Sequence, residues 1–324
     1  MEKLSIILPV YNQENFLKDT IESVLNQSFK NFEFLILDDG STDGSANIIN
    51  HYSAKDHRIK AFFEKNSGKC AATNKLVEMA TGDLCAFMDA DDIMMPKRLE
   101  QQLQFHTMHP QIAASSSHCY YIDANGNTMG NQKYPFLRNI EECERSFLQN
   151  EIIHCAFTGL MMKRNIFLKV GGLDPKFWPC EDLDLANKII EKGHLLVIIQ
   201  EFLMQYRIHD SSITASRQWH MFDMSAYTRF CISQRRGGKP ICTFKEFISK
   251  QHNIGWKQKL WENSYRHSQV LHKKAGFAFY KGNYWRFLSK FLLAFIIRPD
   301  YIIATLRNRY NFKFRWTSNA LKAD

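Results

Sequence analysis

The last third of this 324-residue chain is nearly empty of acidic side chains. Residues 211–324 hold 5 Asp or Glu against 21 Lys or Arg, a balance of +16, whereas residues 1–210 hold 28 against 21, a balance of −7. An acidic body with a basic C-terminal region implies two jobs, the second of them on an anionic surface: membrane lipid, nucleic acid or an acidic partner. Paired cysteine spacing is missing as well. The eight cysteines form no C-x-x-C pair and no zinc pattern, and most sit in apolar context, so buried free thiols in a reducing compartment are expected. MEKLSIILPVYN has too short an apolar core for a secretory leader and no small-residue cleavage site; it reads as a first strand. No apolar run reaches the ~20 residues that cross a bilayer. In the tail, FLLAFII is seven residues long between Lys290 and Arg298. RRGGK (235–239) lacks the phosphate-loop pattern and reads as a linker, and no internal repeat or low-complexity segment is present.

What is there is a regular alternation. Continuous apolar runs LSIILPV, FEFLILDD, RIKAFFEK and DLCAFMDADD alternate with helical spacing in ENFLKDTIESVLNQ, GSTDGSANIINHY and SGKCAATNKLVEMATG. Pro96 then opens a further helix, PKRLEQQLQFHTMH. Unbroken apolar strands of this kind belong to a mostly parallel sheet buried on both faces. Later come a strand in AASSSHCYYID, a turn in ANGNTMG, a strand in CAFTGLMMKR, a helix from about 165 to 170, a helix in EDLDLANKIIEKG and strand material in LLVIIQEFLMQYRIH. The expected organisation is an α/β catalytic domain over 1–215 and a basic helical region over 216–324.

In open sheets of this type ligands bind beyond the carboxyl ends of the strands. Asp38, Asp39, Asp89 and Asp91 all stand at such ends and are expected to share one rim. If Asp89-Ala90-Asp91 continues the strand, the two carboxylates at i and i+2 face one way and suit a hard divalent cation such as Mg²⁺ or Mn²⁺. A solvated loop is the plain alternative. Asp38-Asp39 before GSTDG can accept from a base N–H or a ribose, or simply cap a turn. Glu181-Asp182, after Trp178-Pro179-Cys180, either complements a helix dipole or supplies a general base. His209 alone reads as structural, and His106 and His109 as a frayed helix end.

Taken in order, SIILPVYNQENFLKDTIESVLNQSFKNFEFLILDDGSTDGS, NSGKCAATNKLVEMATGDLCAFMDADD, FTGLMMKR, GGLDPKFWPCEDLDLANKIIEKG and YRIH resemble the motifs of family-2 glycosyltransferases with the GT-A fold, across residues 4–209. The resemblance implies an inverting, metal-assisted transfer from a nucleoside-diphosphate sugar, a UDP-sugar before others, to a hydroxyl of a glycan or lipid-linked acceptor, as in bacterial surface-polysaccharide assembly. It implies donor contacts from Pro9, Tyr11, Glu14, Asp38, Asp39, Asn66, Lys69, Asp89 and Ala90. It implies metal contacts from Asp91, Asp89 and His209, and a base at Asp182 beside Glu181. Where the family commonly has Arg before Asn74, this chain has Thr73; the positive donor contact is either missing or supplied by Lys69 one turn earlier. The basic, aromatic-rich tail would then hold the enzyme on the cytoplasmic face of an anionic membrane, with an ordinary helical cap carrying a basic outer face as the plain alternative. Rival readings are weaker. No nucleic-acid recognition motif accompanies the tail. Ile93 stands where a D-x-D-x-[TV] phosphatase has Thr or Val, and the Gly-rich loop of nucleotidyl transferases is absent. A nucleotide-sugar-binding protein without catalysis would use the same acids.

Overall fold

The computed structural model describes residues 3–209, 218–252, 255–280 and 282–310. The chain separates into two compact units, Met1–Phe244 and Lys245–Asp324. The expected boundary at 215/216 lies outside the described residues.

The first unit is built on a nine-stranded sheet among the described residues, ordered β3-β2-β1-β4-β8-β6-β9-β5, with β7 paired to β6. One half is the parallel set β1 (Leu4–Val10), β2 (Phe32–Asp38), β3 (Ile59–Phe63) and β4 (Leu84–Phe87). Every residue of β1, β2 and β4 is buried, as their unbroken apolar sequences require. Helices α1 (Leu17–Leu25), α2 (Ser45–Ser53) and α3 (Lys69–Met79) connect them. Pro9 is tolerated in this central strand for a register reason. Ile7 faces β4, where its carbonyl accepts from Met88 N, and Pro9 points the same way two residues on, where β4 has already ended.

The other half is mixed. β8 (Met161–Lys163) runs antiparallel to both β4 and β6 (Ile112–Ile122), and β6 runs parallel to β9 (Leu195–Arg207). The short β5 (Ile93–Met94) returns antiparallel against β9, with Ile93 opposite Gln205. β7 (Thr128–Gln132) completes a hairpin with β6. Helices α4 (Arg98–Met108), α5 (Ile140–Leu148), α6 (Arg164–Lys169), α7 (Glu181–Glu191) and α8 (Gln218–Arg236) surround this half. Arg235 ties α8 to α7, reaching Asp184 at 2.6 Å and Glu191 at 2.8 Å.

Several local expectations change. The fourth strand ends at Phe87, so Asp89, Ala90 and Asp91 lie in a turn beyond it. Pro96 stands outside α4, which begins two residues later. The strand in CAFTGLMMKR is confined to Met161–Lys163. α5 was not expected; Asn139 caps it by accepting from Glu142 N at 2.9 Å. His106 is no frayed end: it is buried with Nε2 3.0 Å from Ser115 Oγ, and burial pushes it down to about 4.

Under the sheet α4 inserts a polar layer into the core. Arg98 is fully buried and donates to Phe87 O and Leu160 O at 3.1 Å each, and to Gln102 Oε1 at 2.9 Å. Burial lowers the guanidinium to about 9, with Asp92 pulling the other way. These bonds fasten the end of β4 to the loop before β8. Arg98→Met would strip the buried Phe87 O of its Arg98 donor and leave Leu160 O with Phe87 N alone, at a cost of about 3 kcal/mol. The expected outcome is a urea midpoint lowered by about 1 M at unchanged slope; an unshifted midpoint would show that the layer adds nothing to stability.

Candidate active site

The site begins with the turn after β4. Asp92 N donates back to Asp89 O at 3.2 Å, closing the turn, so the two carboxylates of Asp89-Ala90-Asp91 do not share a strand face. Each acid instead has its own partner. Asp89 Oδ1 lies 2.6 Å from Lys69 Nζ at the start of α3. Asp91 Oδ2 lies 3.0 Å from His209 Nε2, just past β9. Asp92 is buried and accepts from Arg207 N at 2.8 Å. Burial, then repulsion from Asp91 and Asp89, pushes the Asp92 carboxyl well above the usual carboxylate range. Thr20 on α1 clasps the turn from behind: its hydroxyl lies 3.0 Å from Ala90 O and 2.8 Å from Asp92 O.

Arg207 and Phe16 were not anticipated as site residues. The Arg207 guanidinium is buried and donates to Asp91 O at 2.8 Å and Ala124 O at 2.9 Å. Phe16 lies beneath both it and His209, 4.9 Å from the guanidinium and 4.5 Å from the imidazole. The β5–β9 pairing fixes this register, since it sets residues 91–92 beside 207. The only sequence signal was the Arg inside YRIH, two positions before the histidine.

The loops after β1 and β2 form the neighbouring part of the rim. Asp39 is buried and accepts from Ser67 N at 2.7 Å, Ser67 Oγ at 3.0 Å and Gly68 N at 2.8 Å, which anchors the entrance to α3 next to Lys69. Asp38 Oδ1 accepts from Ser41 N at 3.0 Å. Glu14 Oε2 accepts from Gly44 N at 2.7 Å. Pro9 is buried and Tyr11 is half exposed. Gly40 adopts φ +75°, and a side chain there would meet Asn66 N at 2.7 Å, so the β2 loop and Asn66 touch only because position 40 is glycine.

The third part is the first turn of α7, which Lys69 brings to the acidic turn. Its ammonium is 3.8 Å from Glu181 Oε1 while it holds Asp89. Burial opposes the Lys69 charge, but Asp89 and Glu181 outweigh it and raise its pKa. Glu181 is buried, its Oε2 has no hydrogen-bond partner among the described residues, and burial raises its pKa against the pull of Lys69. Asp182 accepts from Leu183 N at 2.7 Å. Burial, then the adjacent Glu181 charge, pushes Asp182 up to about 7, with Lys69 holding it down. Thr73, at the position of the family's Arg, is buried with an unpartnered hydroxyl. Among the described residues Lys69 is a cation that stands among these acids.

Asp91 and His209 set a carboxylate and an imidazole side by side, donor types that suit a divalent cation. Among the described residues no three His, Cys, Asp or Glu side chains form a complete cage. Mg²⁺-like ions, however, are held by one or two protein ligands plus phosphate and water oxygens. The Asp91 Oδ2–His209 Nε2 contact of 3.0 Å is a hydrogen bond that brings these two donor groups together.

A model of the family described as Glycosyl transferase family 2 matches residues 5–171, just over half of the chain, and the chain belongs to that family. It is a glycosyltransferase. An uncharacterized glycosyltransferase of Methanocaldococcus jannaschii is 36% identical over 220 residues, 66% of this chain and 73% of that protein. A Bacillus subtilis protein, the putative teichuronic acid biosynthesis glycosyltransferase TuaG, is 32% identical over 219 residues, 66% of this chain and 82% of its own. Among solved structures, S. aureus TarS 1-349 in complex with UDP aligns with a TM-score of 0.54 at 13% identity, over 98% of this chain and 94% of that one. The mannosyltransferase PcManGT from Pyrobaculum calidifontis, in complex with GDP-Man and Mn²⁺, aligns with a TM-score of 0.55 at 17% identity, over 96% and 81%. At these identities the likeness concerns the fold, which is the expected GT-A arrangement with a helical C-terminal region.

Because Lys69 is the positive charge that restrains Asp182, Lys69→Met should move the Asp182 titration midpoint upward from about 7. Carboxyl-carbon NMR on labelled protein reads this directly; an unmoved midpoint would remove Lys69 from the electrostatics of α7.

Proposed function

We propose that this glycosyltransferase moves a sugar from a nucleoside-diphosphate donor, a UDP-sugar before others, to a hydroxyl of a glycan or lipid-linked acceptor, inverting the anomeric centre. The observation that carries the reading is Asp182: a carboxylate raised to about 7, in the same charged cluster as Lys69 and Asp89. A base poised near working pH is what deprotonation of a hydroxyl demands. The UDP and GDP-Man bound by the two aligned structures support a nucleotide-sugar donor. The TuaG relationship supports a surface-polysaccharide acceptor.

Asp38 and Asp39, with Tyr11, Glu14, Pro9 and Asn66 beside them, would border the base and ribose. Lys69 and the Asp89-Ala90 backbone would lie along the diphosphate. Asp91 and His209, with Asp89 near, would hold Mg²⁺ or Mn²⁺, which supplies charge neutralisation at the leaving diphosphate. Asp182 takes the acceptor proton as the hydroxyl oxygen bonds to the anomeric carbon and the sugar–phosphate bond breaks on the opposite face. That single in-line displacement inverts the configuration. Glu181, buried beside Asp182, keeps the base's pKa high.

Asp182→Asn should lower kcat by about 10³-fold or more while the thermal unfolding midpoint holds. Near-normal turnover in the purified variant would remove the base assignment. Asp91→Asn should likewise abolish transfer. The sign of the pH dependence follows from the base form being active. Below about 7 the rate climbs tenfold per pH unit as Asp182 deprotonates, and above it the rate levels. A flat profile between pH 5 and pH 8 would contradict this. A thermal-shift screen of nucleotide sugars with Mn²⁺ would name the donor.

A further inference from the structure

The second unit carries a helix whose polarity is inverted. After helix α9 (Phe244–His252), helices α10 (Trp256–Tyr280) and α11 (Tyr284–Ile297) form an antiparallel hairpin, with α12 (Pro299–Tyr310) following. α11 docks on α10 through Phe287, Phe291 and Ala294. Phe287 meets Phe279 edge to face at 5.2 Å, Phe291 lies 6.1 Å from His272, and Ser268 donates to Ala294 O at 2.9 Å. A surface helix normally turns its polar side away from such a contact. The outward side of α11 instead presents Trp285, Leu288, Leu292, Leu293, Phe295 and Ile296, and Trp285 and Ile296 are 85% and 74% exposed. Ser289 is the single polar residue within that face, and Arg286 and Lys290 border it.

We propose that this face of α11 docks on a lipid bilayer that carries anionic headgroups. Two features on the molecule select that occupant. Residues 245–324 hold 16 Lys or Arg against 4 Asp or Glu, so a second copy laid on the same face would bring two strongly positive bodies together, whereas an anionic surface attracts one. The helix is also too short to do more than lie flat. Its 14 residues extend about 21 Å against a hydrocarbon thickness of about 30 Å, and no helix among the described residues is long and apolar enough to cross a membrane. Apolar side chains bordered by basic ones, with a tryptophan at one end, match an in-plane interfacial helix. The inference deepens the transferase reading, because a lipid-linked acceptor is presented at such a surface. It does not depend on that reading.

The full-length protein, without donor, is floated with vesicles of phosphatidylcholine alone or mixed with phosphatidylglycerol. Binding to the mixed vesicles and little to the neutral ones is expected. Ser289→Asp sets a carboxylate in the middle of the face at an exposed polar position, so folding is spared. It should lower the vesicle-bound fraction about fivefold or more. Leu292→Asn with Ile296→Asn should do the same, with helical circular dichroism retained. Failure of the parent protein to float overturns the proposal. So does a parent dimer that Ser289→Asp converts to monomer while vesicle binding is unchanged, which would assign the face to a second copy. Because no sugar donor enters the assay, either failure leaves the transferase reading standing.

Discussion

Everything at the acidic rim of the sheet depends on keeping three carboxylates within four residues from destabilising one another. At such separations like charges raise the cost of ionising each neighbour. The fold answers by giving each acid of the turn a separate partner drawn from a distant segment: Lys69 from α3 for Asp89, His209 after β9 for Asp91, and the Arg207 backbone for Asp92. Asp92 goes further and is driven toward its neutral form by burial. Burial thus opposes the full charge that the sequence of the turn suggests. What charge remains is directed to two places, an ammonium on one side and an imidazole on the other.

That arrangement explains why the sheet extends beyond its parallel half. β9 is long, 13 residues, and its far end does two things at once. It pairs with β5, which pins the residue after the acidic turn in register, and it delivers Arg207 and His209 to the turn itself. Phe16, from the chain between β1 and α1, packs under both, so the first loop and the last strand of the sheet meet at one aromatic ring.

The parallel half was legible in the sequence because its signal is local. β1, β2 and β4 are buried on both faces, and a continuous apolar run says so without any tertiary information. The gathering of the acids was legible for the same reason, since carboxyl ends of parallel strands fall on one rim. What was not legible depends on partners far away in the chain. Whether Asp89 and Asp91 continue a strand is decided by where pairing with β1 stops, at Phe87, and no residue type marks that point. Arg98 and His106 look like ordinary surface positions of a helix, yet α4 buries that side against the sheet. Asp39 reads as a ligand-facing acid, while the folded chain gives three of its acceptor sites to Ser67 and Gly68. α5 escaped notice because its face is short and its cap is a single asparagine.

Lys69 is where these threads join. It touches the acidic turn directly and reaches Glu181 more loosely, so its field acts on Asp182 as well. Helix position alone would lower the pKa of an acid in the first turn of α7. Burial and Glu181 push the other way and prevail, and Lys69 keeps the result near 7 rather than higher. A diphosphate bound beside Lys69 would draw on the same positive charge. Part of the restraint on Asp182 would then be lost, and its proton affinity would rise as such an anion arrives. By linkage the reverse holds equally: deprotonating Asp182 weakens the site for an anionic donor, and protonating it tightens the site. A single lysine at the start of α3 would therefore couple an anion bound beside it to the proton affinity of Asp182, through electrostatics alone.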